Sequence, residues 1–314
     1  MQYYKNQTEW KLVQSFLPLN NQLREKNLPN EYFIKWEEIN IHIDHYKVDN
    51  HKGTIIMFHG VGGNGRLLSS LSLPLVEAGY EVICPDLPLY GNTEILSVSK
   101  ITYDTWVNCG TFLVNYFQDK GKKISLFGLS AGGFLAYQVA CNCKNIYALM
   151  ASCFLDQRIP IIIEQTAISP FIGKVSKKYL PIANKLFPNF KIPIKLVGNM
   201  KKIVNNKDLA EILIKDKKSS GSKVTISFLY GMLNPSVNIE PEKFNYCPVL
   251  LVHPENDCWT DVSLSKLFFD RLIGNKKITM LEGAGHFPIE ENGLNKMSST
   301  CIMFLEQCYE ITNL

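Results

Sequence analysis

The chain has 314 residues, 46% hydrophobic and 20% charged, which is length enough for one large domain or two ordinary ones with a real core. No run reaches the roughly 18 uninterrupted apolar residues of a membrane-spanning helix, which argues against an integral membrane protein. Lys+Arg 33 against Asp+Glu 29 gives +4, reads as thinly spread, and includes only four arginines, so nucleic acid is a poor first guess for a partner.

Nine cysteines are an odd number, and the closest pair, Cys141 and Cys143, is C-x-C in a helix-like run, neither a zinc knuckle nor a redox motif. They read as reduced, mostly buried thiols. The N-terminal MQYYKNQTEWKLVQSF lacks the apolar core and small-residue cleavage site of a secretory signal. The expected location is cytoplasmic.

Residues 1–30 are polar and read as an N-terminal extension, with one amphipathic stretch around Trp10, Leu12, Val13 and Phe16 suited to a surface helix. From Tyr32 short β-like runs follow, and Gly53–His59 is the continuous apolar run of a strand buried on both faces. The pattern then repeats. Helical segments at 66–79, 102–119 and 131–142 alternate with apolar runs at Tyr80–Cys84, Lys123–Phe127 and Ile146–Ala151. Such alternation predicts successive βαβ units and an α/β fold with a mostly parallel sheet, helices on both faces.

Between about 155 and 245 the alternation lapses into basic and apolar segments punctuated by Pro160, Pro170, Pro181, Pro188 and Pro193, read as several short helices. It resumes with Val249–His253, a helix at 262–273, a strand at Lys277–Leu281 and a last helix at 294–309. The expected organisation is a core of 31–154 and 246–314 with a helical insertion at 155–245.

The sharpest chemical signal is Gly128-Leu129-Ser130-Ala131-Gly132, a G-x-S-x-G between a predicted strand and a predicted helix. There a tight turn forces the serine outward and flanking bulk would collide with the backbone. A serine hydroxyl is a weak nucleophile at neutral pH and needs a base, itself oriented by a third group. Asp257 follows the strand VLLVH and His286 follows the next, both on loops at the carboxyl ends of strands, where loops of an open sheet converge on one crevice. Glu255 and Asp261 lie close enough to compete with Asp257 for the acid's place.

The order Ser, Asp, His, with His59-Gly60 followed by glycines, GLSAG, the acid loop and GAGHF, resembles the α/β-hydrolase fold family. The resemblance is to its lysophospholipases, monoacylglycerol lipases and serine-aminopeptidase-like hydrolases, over roughly 53–154 and 246–310. It implies an α/β-hydrolase fold with a helical cap inserted between core strands, and backbone N–H groups of Val61 and Ala131 as an oxyanion hole. Gly60, Gly62, Leu129 and Tyr90 are the expected substrate-binding residues. Pro254 departs from the glycine usual in such acid loops. Asp86, in PDLPLYG, matches a structural acid. GVGGNG also suits a phosphate-binding turn, but it lacks both the dinucleotide fingerprint and the P-loop lysine. No cofactor is implied, and the histidines show no metal-ligand spacing, so no metal is expected.

The expected reaction is hydrolysis of a small-molecule carboxylic ester with an apolar acyl group through an acyl-enzyme, with no obligate protein partner. A peptidase using Glu164 to meet a free amino terminus, a thioesterase, and a non-turnover ligand sensor are the alternatives. Lys174, Lys177 and Lys178 read as a solvated face, or as a transient membrane-surface contact through the cap.

Overall fold

The computed structural model describes residues 1–97 and 100–311. In chain order the strands and helices are α1 (Glu9–Gln14), β1 (Asn30–Trp36), β2 (Ile39–Tyr46), β3 (Thr54–Phe58), α2 (Ser69–Glu77), β4 (Glu81–Pro85), β5 (Glu94–Ile95) and α3 (Tyr103–Gln118). They continue through β6 (Ile124–Gly128), α4 (Ala131–Asn142), β7 (Ile146–Ala151), α5 (Pro160–Thr166), α6 (Pro170–Leu186), β8 (Lys191–Pro193), α7 (Lys207–Lys215), β9 (Lys223–Thr225) and α8 (Ile226–Leu233). The chain closes with β10 (Val249–Pro254), α9 (Val262–Phe269), β11 (Lys276–Leu281) and α10 (Glu291–Ile311).

The main sheet runs β1-β2-β4-β3-β6-β7-β10-β11, with β5 paired to β2. Its first strands are antiparallel and everything from β4 to β11 is parallel. Every residue of β3, β4, β6 and β10 is buried, which is why these strands read as unbroken apolar runs instead of alternating ones. At the edge, β11 is largely exposed on one side. Helices cover both faces: α2 packs on α10, and α3 packs on α4. Parallel order brings the carboxyl ends of β3, β6, β10 and β11 to one rim, and that rim carries the loops with His59, Ser130, Asp257 and His286.

The first thirty residues are tied into this body. Trp10 and Val13 of α1 are buried, and the Trp10 indole donates to the Tyr4 carbonyl at 2.7 Å. Tyr4 reaches the Asp86 carboxylate at 2.9 Å, and the buried Arg66 guanidinium lies 4.8 Å from the Tyr4 ring and 4.7 Å from that of Trp10. Arg66 bonds Asp44 through two nitrogens, at 2.6 and 2.9 Å, and Glu31 at 3.2 Å. Asp86, expected to be structural, also accepts the backbone N–H groups of Gly65 and Asn92, each at 2.7 Å. One cluster of charges thus fastens the N-terminal segment, β2 and the loop after β3 together.

Residues 155–245 leave the sheet after β7 and return at β10. The segment holds four helices, as the broken pattern suggested, but also a two-stranded antiparallel pair, β8 with β9, that three-residue strands do not announce. Pro160 and Pro170 sit at the first turn of α5 and α6, where a missing N–H costs nothing. Pro181, one of the prolines read as punctuating a run of short helices, lies inside the 17-residue α6. The carbonyl it leaves without an N–H donor belongs to Lys177, an exposed residue. The helix expected to reach 273 stops at Phe269.

Candidate active site

The turn between β6 and α4 is built by backbone collisions that only glycine avoids. A Cβ on Gly128 would lie 2.0 Å from the Gly132 carbonyl oxygen, and one on Gly132 would lie 2.2 Å from that of Phe58. Between them Ser130 takes φ 55° and ψ −127°, a left-handed conformation rare for a residue with a side chain. Its own N–H is held by the Ser152 hydroxyl at 2.9 Å. The result is a serine Oγ aimed off the end of the sheet.

That Oγ is 2.6 Å from His286 Nε2, and His286 Nδ1 is 2.7 Å from Asp257 Oδ2. Asp257 is fixed in turn: Oδ1 accepts the N–H groups of Trp259 and Thr260, each at 2.8 Å, and Oδ2 accepts the Thr260 hydroxyl at 2.8 Å. Burial by itself raises its pKa, but the adjacent His286 imidazole and these donors outweigh burial and hold the carboxyl down at about 2. Of the three acids near this loop, the structure brings only Asp257 to the histidine. Glu255 is exposed, and Asp261 caps α9 by accepting the Ser263 N–H at 2.9 Å.

Facing Ser130 is the loop after β3. His59 is fully buried and burial holds its pKa down at about 4, so it is neutral: Nδ1 lies 2.8 Å from the Gly60 carbonyl and Nε2 accepts the Leu87 N–H at 3.0 Å. Gly60 passes so close to the elbow that a Cβ there would meet the Leu129 carbonyl and Ser130 Cβ at 2.9 Å. Gly62 has φ 81°, and its carbonyl is held by the Ser220 hydroxyl at 3.0 Å. Among the described residues, no protein acceptor takes the N–H of Val61 or of Ala131.

Two cavities meet at Ser130. The larger, about 600 Å³, lies under the inserted segment and is walled mainly by apolar side chains, among them Leu155, Ile163, Val197, Met200 and Met232. The smaller, about 390 Å³, runs along Gly60, Gly62, Leu129, Leu67 and Leu213. Val61, Ser130 and His286 line both. Gly60, Gly62 and Leu129 therefore stand where a substrate would touch them, whereas Tyr90 lines neither cavity. Leu89 and Gly91, at φ 82° and 58°, turn the chain so that the Tyr90 ring packs between His59 and Trp106, 5.6 and 5.7 Å away. Glu164 faces Lys174 at 3.7 Å and is absent from the lining of both cavities.

Three site residues were not found from sequence. Trp259 lies 4.9 Å from the His286 ring and donates its indole N–H to the Thr166 carbonyl, joining the acid loop to the inserted segment. Thr260 Oγ1 bridges Asp257 and His286 Nδ1, and Ser152 holds the elbow. The usable signal was Asp257-x-x-Thr260, since an aspartate accepting N–H groups two and three residues on is a common turn.

Among the described residues, two trios place ligand-type atoms within 4.8 Å of one another: Cys153, Asp257 and His286, and Glu31, His42 and Asp44. In the first, burial pushes the Cys153 thiol up to about 12, leaving no thiolate, and the other two groups bond each other. In the second, the Arg66 cation already pairs with both carboxylates.

A family model described as serine aminopeptidase, S33, matches residues 49–293. No curated protein matches by sequence. Among solved structures, a soluble variant of monoglyceride lipase from Saccharomyces cerevisiae superposes with TM-score 0.74 at 20% identity, covering 93% of this chain and 98% of that one. The Paleococcus ferrophilus monoacylglycerol lipase gives 0.63 at 19%, covering 85% and 99%, and a Bacillus coagulans carboxyl esterase gives 0.68 at 15%, covering 89% and 98%. At these identities the structures share the fold.

Proposed function

The chain belongs to the serine aminopeptidase S33 family of α/β hydrolases, and from that membership we propose that it hydrolyses carboxylic esters of apolar acyl groups through an acyl-enzyme on Ser130. The observation that carries this reading is the unbroken hydrogen-bond chain Ser130–His286–Asp257 opening onto an apolar cavity of about 600 Å³.

In the proposed mechanism Ser130 Oγ attacks the ester carbonyl carbon while its proton passes to His286 Nε2. Asp257 keeps the other imidazole proton on Nδ1 and offsets the positive charge. The carbonyl oxygen becomes an oxyanion beside the unclaimed N–H groups of Val61 and Ala131, each worth about 10²-fold to 10³-fold in rate. His286 then protonates the leaving alcohol, the C–O bond breaks, and the acyl group stays on Ser130. Water, deprotonated by His286, attacks the acyl-enzyme, releasing the acid and restoring the serine.

Several features favour an ester over a peptide. Recognition of a free amino terminus needs a buried carboxylate near the site, and among the described residues no acidic side chain lines either cavity. Aliphatic walls suit an acyl chain. The inserted segment, acting as a cap, gives those walls. The relatives in fold named as monoglyceride lipases and a carboxyl esterase point the same way. A cytoplasmic location accords with the buried thiols of Cys84, Cys109, Cys153 and Cys301.

Initial rates on p-nitrophenyl esters from acetate to palmitate, with Ser130→Ala as control, test the proposal. Turnover that vanishes in the variant supports it, and the chain-length optimum reports the depth of the larger cavity. Equal inactivity of both proteins across the series rules out a simple esterase.

A further inference from the structure

The smaller of the two cavities at Ser130 is left over once an acyl chain is placed in the larger one. Its wall is drawn from four parts of the chain: Leu67 and Leu68 after the glycine loop, Leu129 in the nucleophile turn, Ile203 and Leu213 in the inserted segment, and Phe287 beside the catalytic histidine. All six side chains are buried, so the space they surround is closed off by hydrocarbon.

The polar groups of this wall are already taken within the protein. Asn64 Oδ1 accepts the Leu67 N–H at 3.0 Å, and its amide nitrogen donates to the Lys218 carbonyl at 3.4 Å. Both His59 nitrogens are bonded, one to the Gly60 carbonyl and one to the Leu87 N–H. The Gly62 carbonyl accepts from the Ser220 hydroxyl, and the Gly63 N–H donates to the Gly60 carbonyl. Among the described side chains lining the cavity, that leaves Ser130 and His286 alone with polar atoms to offer, and the reaction uses both. The larger cavity differs, because Gln157, Thr166, Ser176 and Thr260 bring amide and hydroxyl groups to its wall.

An ester presents two groups to the serine, and two cavities meeting at Ser130 divide them. With the acyl chain in the larger, the alcohol falls in the smaller, whose wall includes His286, the group that protonates it on leaving. A buried hydroxyl without a partner weakens binding by roughly fivefold to 150-fold, and a monoacylglycerol would bring two. A methylene taken out of water there strengthens it by up to about fourfold. We propose that the substrate is an ester of an apolar aliphatic alcohol, held by Leu67, Leu213 and Phe287, and that glycerol esters are rejected. This rests on the hydrolytic reading and narrows it, and it sets the chain apart from the monoglyceride lipases that share its fold.

The test keeps butanoate as the acid and varies the alcohol: methyl, ethyl, butyl and hexyl esters and 1-monobutanoylglycerol, with the liberated acid titrated at constant pH. Leaving-group basicity is nearly the same from ethyl to hexyl, so differences in kcat/KM report how the alcohol is bound in the transition state. Butyl should exceed ethyl by about tenfold, and the glycerol ester should lie at least about 25-fold below butyl. Leu213→Trp, which fills the cavity, should lower the hexyl-to-methyl ratio about tenfold or more. Leu67→Gln, which offers a hydroxyl its partner, should raise the glyceryl-to-butyl ratio. Each ratio is taken within one protein, so loss of folded enzyme does not mimic the effect. A flat alcohol series, or a glycerol ester turned over as fast as the butyl ester, overturns the proposal, while Ser130-dependent release of p-nitrophenol leaves the hydrolytic reading standing. Ratios that move with Ala167→Trp, in the wall of the larger cavity, and not with Leu213→Trp exchange the two cavities and also overturn it. A wild type that hydrolyses no p-nitrophenyl ester removes the hydrolytic reading and the proposal with it.

Discussion

Replacing Asp257 by Asn changes one atom and should reverse the proton order of the whole site. Oδ1 of the asparagine still accepts from Trp259 and Thr260, so the loop keeps its turn. The amide nitrogen takes the place of Oδ2, which in the native protein faces His286 Nδ1 at 2.7 Å and the Thr260 hydroxyl at 2.8 Å. An N–H there donates, so His286 must present a bare Nδ1 and carry its proton on Nε2. That proton then points at Ser130 Oγ, 2.6 Å away, and the imidazole has no lone pair left to receive the serine proton. The imidazolium that forms in the transition state also loses its counter-charge. Together these are worth about 10⁴-fold in kcat, or about 5 kcal/mol of barrier. Rates on the preferred p-nitrophenyl ester should show that loss for Asp257→Asn and no more than a few-fold change for Glu255→Gln or Asp261→Asn, since asparagine caps a helix as well as aspartate does. An Asp257→Asn enzyme within tenfold of wild type, or an equal fall in Asp261→Asn, refutes the assignment of the acid.

Four further expectations follow from the same geometry. His59→Ala, by releasing the Gly60 carbonyl and the Leu87 N–H, should lower kcat about 10-fold to 10³-fold with KM little changed, because a displaced Val61 N–H is felt in the transition state; steady-state kinetics decide it, and a rise in KM alone contradicts it. Ala167→Trp should narrow the larger cavity and shift the acyl-chain optimum of the ester series shorter, leaving acetate hydrolysis intact. Arg66→Ala should cost about 3–5 kcal/mol in urea unfolding, because it strands Asp44 and Glu31 among buried groups, and a loss below 1 kcal/mol counts against the cluster as a fastening. Burial works to raise the Glu31 pKa, but the His42 hydrogen bond, the Arg66 charge and two N–H donors hold it at about 2 against an ordinary 4.5. Its contribution is complete above pH 4.5 and disappears as pH falls through 2. His42 opposes its own burial through Asp86 and Glu31 and rises to about 9, so its share is complete below 6.5 and fades as pH climbs past 9. Melting temperature against pH should therefore decline on both sides of that window.

How far these residues could be read in advance depended on how local their constraints are. GLSAG is legible because its glycines answer collisions within a few residues and with the neighbouring strand end, and any sequence making that turn must carry them. His286 is legible as the lone histidine on a small-residue loop at the correct end of a strand. The acid was ambiguous, because Glu255, Asp257 and Asp261 are equivalent until the loop's path aims one of them. Tyr90 was misplaced for a similar reason: two left-handed backbone positions beside it send its ring into the core. Residues 1–30 read as an extension because their burial depends on partners far along the chain, Arg66 and Asp86 above all. In the inserted segment the apolar residues do not say by themselves which of them are covered, and fewer than half are buried.

The proposed mechanism requires that Ser130 become covalently acylated. Its most direct test is reaction of the folded protein with a long-chain fluorophosphonate, followed by peptide mass spectrometry. One adduct is expected, on the peptide spanning Ser130, absent in Ser130→Ala and strongly slowed in Asp257→Asn. No adduct, or an adduct on another residue that persists in Ser130→Ala, contradicts it.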